Sequence, residues 1–407
     1  MLPNASIKFD NGNLDAVVSS DDGVFGLLAS ASAVAEKFEL SKPYLLKGMK
    51  DVALLGITAN VDNYKLYNWL VNFYKEAGEG ATLWIIGFAK TTKVSDWFTE
   101  VDGTAPAEIL LTKANGSVSA LFTCYSPVAT FTSTIINALD DDVPVAIAAA
   151  QALAVKYTTE NFAAPFLSVL EGYAYSGVPA DLTDLTQGSA NRVAIMLGST
   201  EKRTATVASL GAATCILAGR LATILVSKNI GEVKAGALSN LTAYLVDTPV
   251  EEADVETIND KGFITFRTHV RKAGYYFTDS RLATDVTDDY KYIELRRTID
   301  KAFRLAHSVV SNEILTDFNV TNTGAVDVFY AKSIEALTER TISQSMTASN
   351  ELSFDSTDKD DLGVIAKMDT DSNVVSSSKV NMSLKVRPRG YARYFEVLLG
   401  FNVNTIN

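Results

Sequence analysis

Cysteine is almost absent from this chain of 407 residues, which contains only Cys124 and Cys215. Both lie inside apolar stretches, so they cannot build a disulfide framework or a cysteine zinc site, and we expect two small buried side chains. Histidine is equally scarce. Neither His269 nor His307 has a carboxylate or cysteine at metal-ligand spacing, so we expect structural roles for both and predict no metal or other cofactor.

Positive charge is also in short supply. The chain has 36 lysine and arginine residues against 48 aspartate and glutamate residues, which gives a formal net charge of −12. Such a charge repels DNA and anionic membrane surfaces, so nucleic acid is not an expected partner. Solubility at high local concentration is the consequence we expect instead.

Hydrophobic runs typical of membrane proteins are lacking. The start, Met1 to Ser6, has neither the basic nor the apolar part of a signal peptide, which predicts synthesis in a cytosol. The segment Ala205–Val226 approaches the roughly 20 residues of a membrane span, but it contains Arg220, Gly211 and Gly219. We interpret it as a buried helix and expect no direct membrane insertion.

Glycine and proline are too few, at 24 and 9 residues, for a collagen-like or mostly disordered chain. At about 150 residues per domain, the length predicts two to three domains. Over residues 26–245, short apolar runs without period-two alternation are separated by helical periods. This pattern is typical of parallel strands covered on both faces, so it predicts an α/β body with a mostly parallel sheet. The predicted strands are Val52–Ile57, Leu83–Phe88, Val118–Cys124, Phe166–Leu170 and Val193–Leu197, and the predicted helices are Tyr64–Tyr74, Val143–Tyr157 and Ala205–Val226.

Beyond Pro249 the pattern changes to a helical α+β domain, predicted over residues 246–379. A strand at Phe263–Arg267 leads into a long helix, for which Thr287 fits the N-cap because two aspartates follow in the first turn. A second amphipathic helix is predicted at Val326–Gln344. The apolar stripe of the first helix consists of Tyr292, Leu295, Ile299, Ala302, Ala306 and Val310.

Both ends of the chain have strand-forming patterns, which predict arms at residues 1–25 and 380–407. From Val380 apolar and polar residues alternate, and after a turn at Pro388–Gly390 a second alternating run covers Tyr391–Val403. Either the arms pair with sheets of their own subunit, or they are donated to neighbouring copies. The residues predicted to lie in exchanged strands are Ile7 and Phe9 in the first arm, and Arg393, Phe395, Val397, Leu399, Phe401 and Val403 in the second.

Motifs of nucleotide and hydrolase chemistry are missing. Gly78–Gly80 is followed by Leu83 where a dinucleotide fingerprint needs its third glycine, and it precedes a strand instead of a helix. Gly231–Gly236 has phosphate-loop spacing, but Ala237 and Leu238 follow where a lysine and a hydroxyl are needed. A Gly-x-Ser-x-Gly nucleophile elbow is also absent. We therefore predict no catalytic residue.

Acidic clusters offer oxygen ligands but no complete cation site. Residues 369–373 match the first three ligand positions of a calcium-binding loop, whereas Val374 and Val380 replace the turn glycine and the closing glutamate. The clusters Asp140–Asp142 and Asp358–Asp361 are interpreted as solvated loop charge.

Two stretches, Gly274–Arg281 (GYYFTDSR) and Asp288–Asp300 (DDYKYIELRRTID), resemble the contractile tail sheath proteins of bacteriophages and related contractile injection systems. The second stretch contains a tyrosine followed by the paired Arg296 and Arg297, as in that family. Asp22–Gly26 resembles the connection from the N-terminal arm. The order of an α/β body, a helical carboxyl-terminal domain and strand-forming arms extends the resemblance over most of the chain.

The resemblance implies a structural protein, not an enzyme, that stacks in rings around a tail tube and contracts to drive the tube through a target envelope. Its implied partners are copies of itself, the tail tube protein, and the baseplate and tail-terminator proteins. Its implied location is a virion tail or injection particle that is assembled in a bacterial cytoplasm.

For Arg296 and Arg297 the resemblance implies charge at the inner wall or at a subunit interface, where arginine binds acidic partners bidentately. The alternative is a pair of solvated helix charges. Two other functions are open at this point: an α/β enzyme with a crevice site of unknown chemistry, and another repetitive tail component.

Overall fold

The computed structural model describes residues 21–159 and 162–400, and it divides the chain into two compact units at the junction of Thr316 and Asp317. No helix within those ranges combines the length and the apolar composition of a membrane span. The strands are β1 (Phe25–Ala31), β2 (Pro43–Leu46), β3 (Leu83–Ala89), β4 (Ala120–Cys124), β5 (Ile135–Ile136), β6 (Leu139–Asp140), β7 (Leu167–Glu171), β8 (Ser189–Ala190), β9 (Val193–Met196), β10 (Tyr244–Leu245), β11 (Thr248–Pro249), β12 (Phe266–His269), β13 (Lys272–Phe277), β14 (Ala283–Thr284), β15 (Val364–Met368) and β16 (Met382–Val386). The helices are α1 (Met49–Leu54), α2 (Tyr64–Ala77), α3 (Val94–Phe98), α4 (Glu108–Ala114), α5 (Asp142–Lys156), α6 (Thr214–Thr223), α7 (Val255–Asp260), α8 (Ile293–Val310), α9 (Val328–Ile342) and α10 (Val374–Ser377).

The first unit is built on a six-stranded sheet with the order β2-β3-β1-β4-β7-β9. Its neighbouring strands are parallel except for the pair of β2 with β3. Side chains of β1, β4 and β7 are buried on both faces, which explains why their sequences are nearly continuous apolar runs. The predicted α/β body with a mostly parallel sheet is confirmed.

Helices cover this sheet in packed pairs. α2 packs against α6, and the Trp69 indole N–H donates to the Thr214 hydroxyl at 2.9 Å across that contact. α3 packs against α5. The helix predicted at residues 64–74 is α2, but its buried face differs from the predicted stripe of Tyr64, Tyr67, Leu70, Val71 and Tyr74. Of these five, only Leu70 and Tyr74 are buried, and the core-facing residues also include Leu66 and Phe73.

The sequence pattern does not predict the central strand β1, because its run begins at Phe25, the last residue of the predicted N-terminal arm. It pairs with β3 on one side and β4 on the other. The predicted strand Val52–Ile57 is wrong: this stretch belongs to the short helix α1 and its end. A short apolar run fits either structure, and Gly56, with a φ of 68°, ends this one as a helical turn.

Two predicted helix boundaries are also wrong. The helix predicted at Ala205–Val226 is limited to α6, because the Ser209 hydroxyl hydrogen-bonds to the carbonyls of Thr204 and Thr206 and holds that stretch in non-helical turns. Thr287 does not cap the next long helix. The Asp285 carboxylate accepts its backbone N–H in a local turn, and α8 begins only at Ile293.

The first unit extends well past the boundary at residues 245 and 246 that the sequence suggested. The side chains of Phe263, Ile264, Phe277 and Ile293 belong to the same continuous core as the six-stranded sheet. Ile264 also joins the edge of the sheet, where its backbone N–H donates to the backbone carbonyl of Ile195 at 2.9 Å. The structural division at Thr316 follows from this shared core.

The second unit is a small α+β layer. α9 packs on the two-stranded antiparallel sheet of β15 and β16, over a core that includes Val326, Ala331, Ile334 and Met368. Side chains of β15 alternate strictly between buried and exposed. The alternation read between residues 380 and 387 is β16, so the first part of the predicted C-terminal strand pattern is confirmed.

Candidate assembly site

The carboxyl ends of the parallel strands, where α/β enzymes bind ligands, are filled by aromatic side chains. The rings of Tyr125, Phe131 and Tyr173 pack edge-to-face, with centroid separations between 4.7 and 6.2 Å. The space left beside Tyr125 and Tyr173 is about 10 Å³, too small for a substrate. This crevice is a packed part of the core.

Charged groups near the crevice have partners inside the chain. Asp140 and Asp142 are buried, so the interpretation of this cluster as solvated loop charge is wrong for both. The Asp142 carboxylate accepts from the backbone N–H of Ser95 at 3.0 Å. Glu171 lies 3.5 Å from the Lys65 ammonium, and burial raises the pKa of this carboxyl to about 7. These contacts tie helices and strands together.

A larger cleft of about 190 Å³ lies between α2 and residues 199–213. Its potential nucleophile is Cys215, but burial raises the pKa of that thiol to about 12, which leaves it protonated and unreactive at neutral pH. Cys124 is buried as well, so the structural role predicted for both cysteines is confirmed. Within residues 21–159 and 162–400, no group of three His, Cys, Asp or Glu residues is placed to hold a metal ion.

Arg296 lies in the interior of the first unit instead of on a wall. Its guanidinium donates to the Asp300 carboxylate at 2.8 Å, and Arg192 donates to the same carboxylate through both terminal nitrogens, at 2.8 and 3.0 Å. All three side chains are at most a tenth exposed. This cluster joins α8 to the residue before β9. The spacing of four residues between Arg296 and Asp300 was the sequence signal for this pair.

Arg297 is buried too, and its guanidinium donates to the backbone carbonyls of Leu221 and Asp22 at 3.1 and 3.3 Å. These partners belong to the same subunit. The geometry therefore supports an internal bracing role for Arg296 and Arg297, and does not support the predicted interface charge.

The second arm is exposed where the structure describes it. Residues 388–400 form no strand, and the side chains of Phe395, Val397 and Leu399 are 85%, 80% and 96% exposed. Arg393 is exposed and lies 5.8 Å from the ring of Tyr391. Monomeric proteins rarely expose so many neighbouring apolar side chains. The other predicted exchange residues, Ile7, Phe9, Phe401 and Val403, lie outside the described residues.

One edge of the two-stranded sheet is closed by a pair of glutamates. The Glu339 carboxylate accepts the backbone N–H of Ala366, and the Glu335 carboxylate accepts that of Met368, both at 2.8 Å. Burial opposes ionisation of Glu335, but hydrogen bonds from Lys332 and the Met368 amide hold its pKa below the usual value. These N–H groups point away from β16, so α9 covers the outer edge of β15. Sequence reasoning missed both glutamates, whose spacing of four residues on α9 was the available signal.

On the opposite edge, formed by β16, no further strand pairs among the residues that the structure describes. In an antiparallel pair, facing residues either exchange both backbone bonds or point both groups outward. Ala366 and Met368 point outward, so their partners Leu384 and Met382 also point their N–H and C=O groups away from β15. Met382, Leu384 and Val386 are half-buried, with their apolar side chains on the α9 side of the sheet. This edge has the geometry that accepts a further strand.

The family profiles cover nearly the whole chain. The N-terminal domain of DUF2586 matches residues 2–281, and the C-terminal domain of DUF2586 matches residues 289–405. The chain belongs to the DUF2586 family. The comparison with curated proteins finds no match for this DUF2586 chain.

Solved structures of contractile machines share the fold of this DUF2586 protein. The contracted helical sheath of the anti-feeding prophage matches with a TM-score of 0.62 at 14% identity, covering 98% of this chain and 99% of that one. A chain of the six-fold symmetrised baseplate of that particle gives 0.60 at 14% identity, covering 99% of each. The contracted PVC sheath complex of an extracellular contractile injection system gives 0.58 at 13% identity, covering 100% and 98%. The chain has the fold of contractile sheath proteins, which confirms the resemblance drawn from the sequence.

Proposed function

We propose that this DUF2586 protein is the structural subunit of a contractile tail sheath, which polymerises around a tail tube and is linked from copy to copy by exchanged β-strands. The observation that carries the proposal is that one unit contains both an exposed apolar arm, after residue 388, and a strand edge at β16 that no described strand covers. The fold shared with sheath structures over nearly full length supports the same function.

Strand exchange suits a shell that must shorten and widen without breaking. The first unit is braced by the Arg192–Asp300–Arg296 cluster and moves as a rigid body. Backbone ladders between copies persist while such bodies rotate, because the arm joins its unit through the short segment 387–390. The extended state is then held by contacts between bodies and released from a kinetic trap.

The partners of this subunit are further copies of itself in stacked rings, the tail tube protein inside them, and the baseplate and tail-terminator proteins at the two ends. Its location is the tail of a virion or an injection particle. No enzymatic step is assigned, because the crevice at the carboxyl strand ends is filled by Tyr125, Phe131 and Tyr173.

A chain that ends at Gly390 tests the strand exchange. We expect the full-length protein to form sedimenting tubes with oblique ridges in negative-stain images, alone or on its tube. Removal of residues 391–407 leaves folded monomers, because the body and β16 are unchanged. Full-length tubes from the shortened chain would exclude the proposal.

A second assembly role is favoured by one observation, the likeness to a chain of a baseplate structure. A baseplate component forms a single ring or a short stack at one end of the particle. Labelling the arm-containing protein with an antibody in assembled particles separates the two: decoration along the whole tail supports the sheath, and decoration at one end supports the baseplate.

A further inference from the structure

The solvent face of the two-stranded sheet carries positive charge. Exposed side chains on this face are Ile365 and Lys367 from β15, and Ser383 and Lys385 from β16. Lys367 faces Ser383 and Lys385 faces Ile365, so the two lysines are diagonal neighbours. The nearby Asp361 carboxylate is bound to Arg387. Two like charges in diagonal positions on neighbouring strands favour a carboxylate beside them.

The arm has one carboxylate to offer. Glu396 is the only acidic residue after Asp371. In a strand, side chains alternate between faces, so Phe395, Val397 and Leu399 share one face, which begins with Arg393. Glu396 lies on the other face between Tyr394 and Leu398. Both faces carry apolar side chains, and the carboxylate of Glu396 is what distinguishes the second face.

The two faces of the arm match the two faces of the β16 edge. On the α9 side, the half-buried Met382, Leu384 and Val386 need apolar cover, which Phe395, Val397 and Leu399 supply. An arm docked this way places Glu396 on the side of Lys385. A slip by one residue reverses every side chain, so it brings Tyr394 and Leu398 into the apolar layer together with Glu396. The unpaired carboxylate in that layer is what disfavours the slipped register.

We propose that Glu396 of the donated arm pairs with Lys385 of the acceptor copy and thereby sets the face and register of strand exchange. The inference rests on the proposed function. Lys385 is on the strand next to the arm, about 4.8 Å away, while Lys367 is one strand further. Lys367 contributes less for that reason.

Charge exchange between two variants tests the pairing. We expect Glu396→Lys and Lys385→Glu each to raise the protein concentration needed for assembly by about two- to five-fold, since a cross-strand charge pair is a modest contact. Lys367→Glu should have a smaller effect. Lys379→Glu is the matched control, because it makes the same charge change at an exposed position outside the strand, and it should assemble like the wild type.

Mixing the two single variants then asks whether the pair forms between copies. An equimolar mixture of E396K and K385E restores a Glu–Lys pair whenever copies alternate, so assembly should recover towards the wild-type concentration. The double variant should recover as well. Recovery in the double variant alone would mean that the arm folds back on its own β16, which overturns the pairing between copies.

The failures of the two proposals are distinguishable. If E396K and K385E assemble like the wild type while the chain ending at Gly390 does not, the register pairing is wrong and strand exchange stands. If the shortened chain also assembles, strand exchange itself is wrong. Melting curves of the monomers check folding, and they should be unchanged because Glu396 and Lys385 are exposed.

Discussion

The six-stranded sheet of the first unit and the two-stranded sheet of β15 and β16 differ in how their edges are covered. In the six-stranded sheet, β9 is bridged by Ile264, and the other edge strand, β2, is four residues long and begins with Pro43, which lacks an N–H. In the two-stranded sheet of β15 and β16, Glu335 and Glu339 close the edge of β15, whereas no strand within residues 21–159 and 162–400 covers the outer edge of β16. The described chain therefore protects both edges of the first sheet and one edge of the second.

Because of this difference, we expect substitutions in the first sheet to change the stability of the chain and substitutions in the second unit to change assembly. Side chains of β1, β4 and β7 are buried on both faces, so changes in that sheet act on folding of the chain. The second unit leaves Phe395, Val397 and Leu399 exposed, so under the proposed function we expect changes there to act on contacts between copies. Three variants test that separation of stability from assembly, in order of decreasing effect.

Asp300→Ala should have the largest effect, because it leaves Arg192 and Arg296 buried without their shared carboxylate. Removing one partner of a buried ion pair typically lowers the free energy of unfolding by about 3–5 kcal/mol. Urea unfolding of the full chain measures it. The control is Asp289→Ala, at an exposed position near the start of the same helix, which should stay within about 0.5 kcal/mol of the wild type. A loss below about 1 kcal/mol for Asp300→Ala would contradict the bracing role.

Glu335→Ala tests the closed edge of β15. The Met368 amide loses a charged acceptor worth about 1.5–3 kcal/mol, which corresponds to roughly ten- to hundred-fold faster hydrogen exchange at that amide. Hydrogen exchange measured by NMR on the full chain tests this expectation. Glu339→Ala is the matched variant and should speed hydrogen exchange at the Ala366 amide instead. Unchanged protection of Met368 would show that the glutamate does not close the edge.

Glu171→Gln should have the smallest effect, visible in the pH dependence of stability. The pKa of Glu171 is raised from 4.5 to about 7 in the folded chain, so between these values the unfolded state releases a proton that the folded state keeps. Stability from this group is therefore present at low pH and is lost as the pH rises through about 7. Urea unfolding between pH 5 and 8 should show a flatter slope in the variant. An unchanged slope would mean that another group is responsible.

The sequence allowed the parallel sheet to be predicted because burial on both faces leaves continuous apolar runs, as at Leu83–Ala89. The strand prediction is wrong at Val52–Ile57, since a short apolar run fits a strand or a helical turn equally well. The strand β1 was missed because Phe25 directly follows a polar connection that resembled an arm.

The candidate site was predictable only in part. Alternation marked β16 and the arm, because a half-buried strand leaves a period of two. A spacing of four residues puts Glu335 and Glu339 on one face of α9, but no local pattern shows that this face lies against the edge of β15. Arg296 and Arg297 were assigned to an interface because a sequence does not tell which face of α8 turns inward. Their partners Asp300 and Leu221 are known only from the tertiary structure.

The most direct test of strand exchange is a cryo-EM map of the assembled particle that resolves the backbone around β16. We expect residues 391–400 of one subunit to run beside Met382–Val386 of another, with backbone hydrogen bonds across the subunit boundary and Glu396 on the side of Lys385. A map in which each arm folds back onto the β16 strand of its own subunit, with no such bonds between copies, would contradict it.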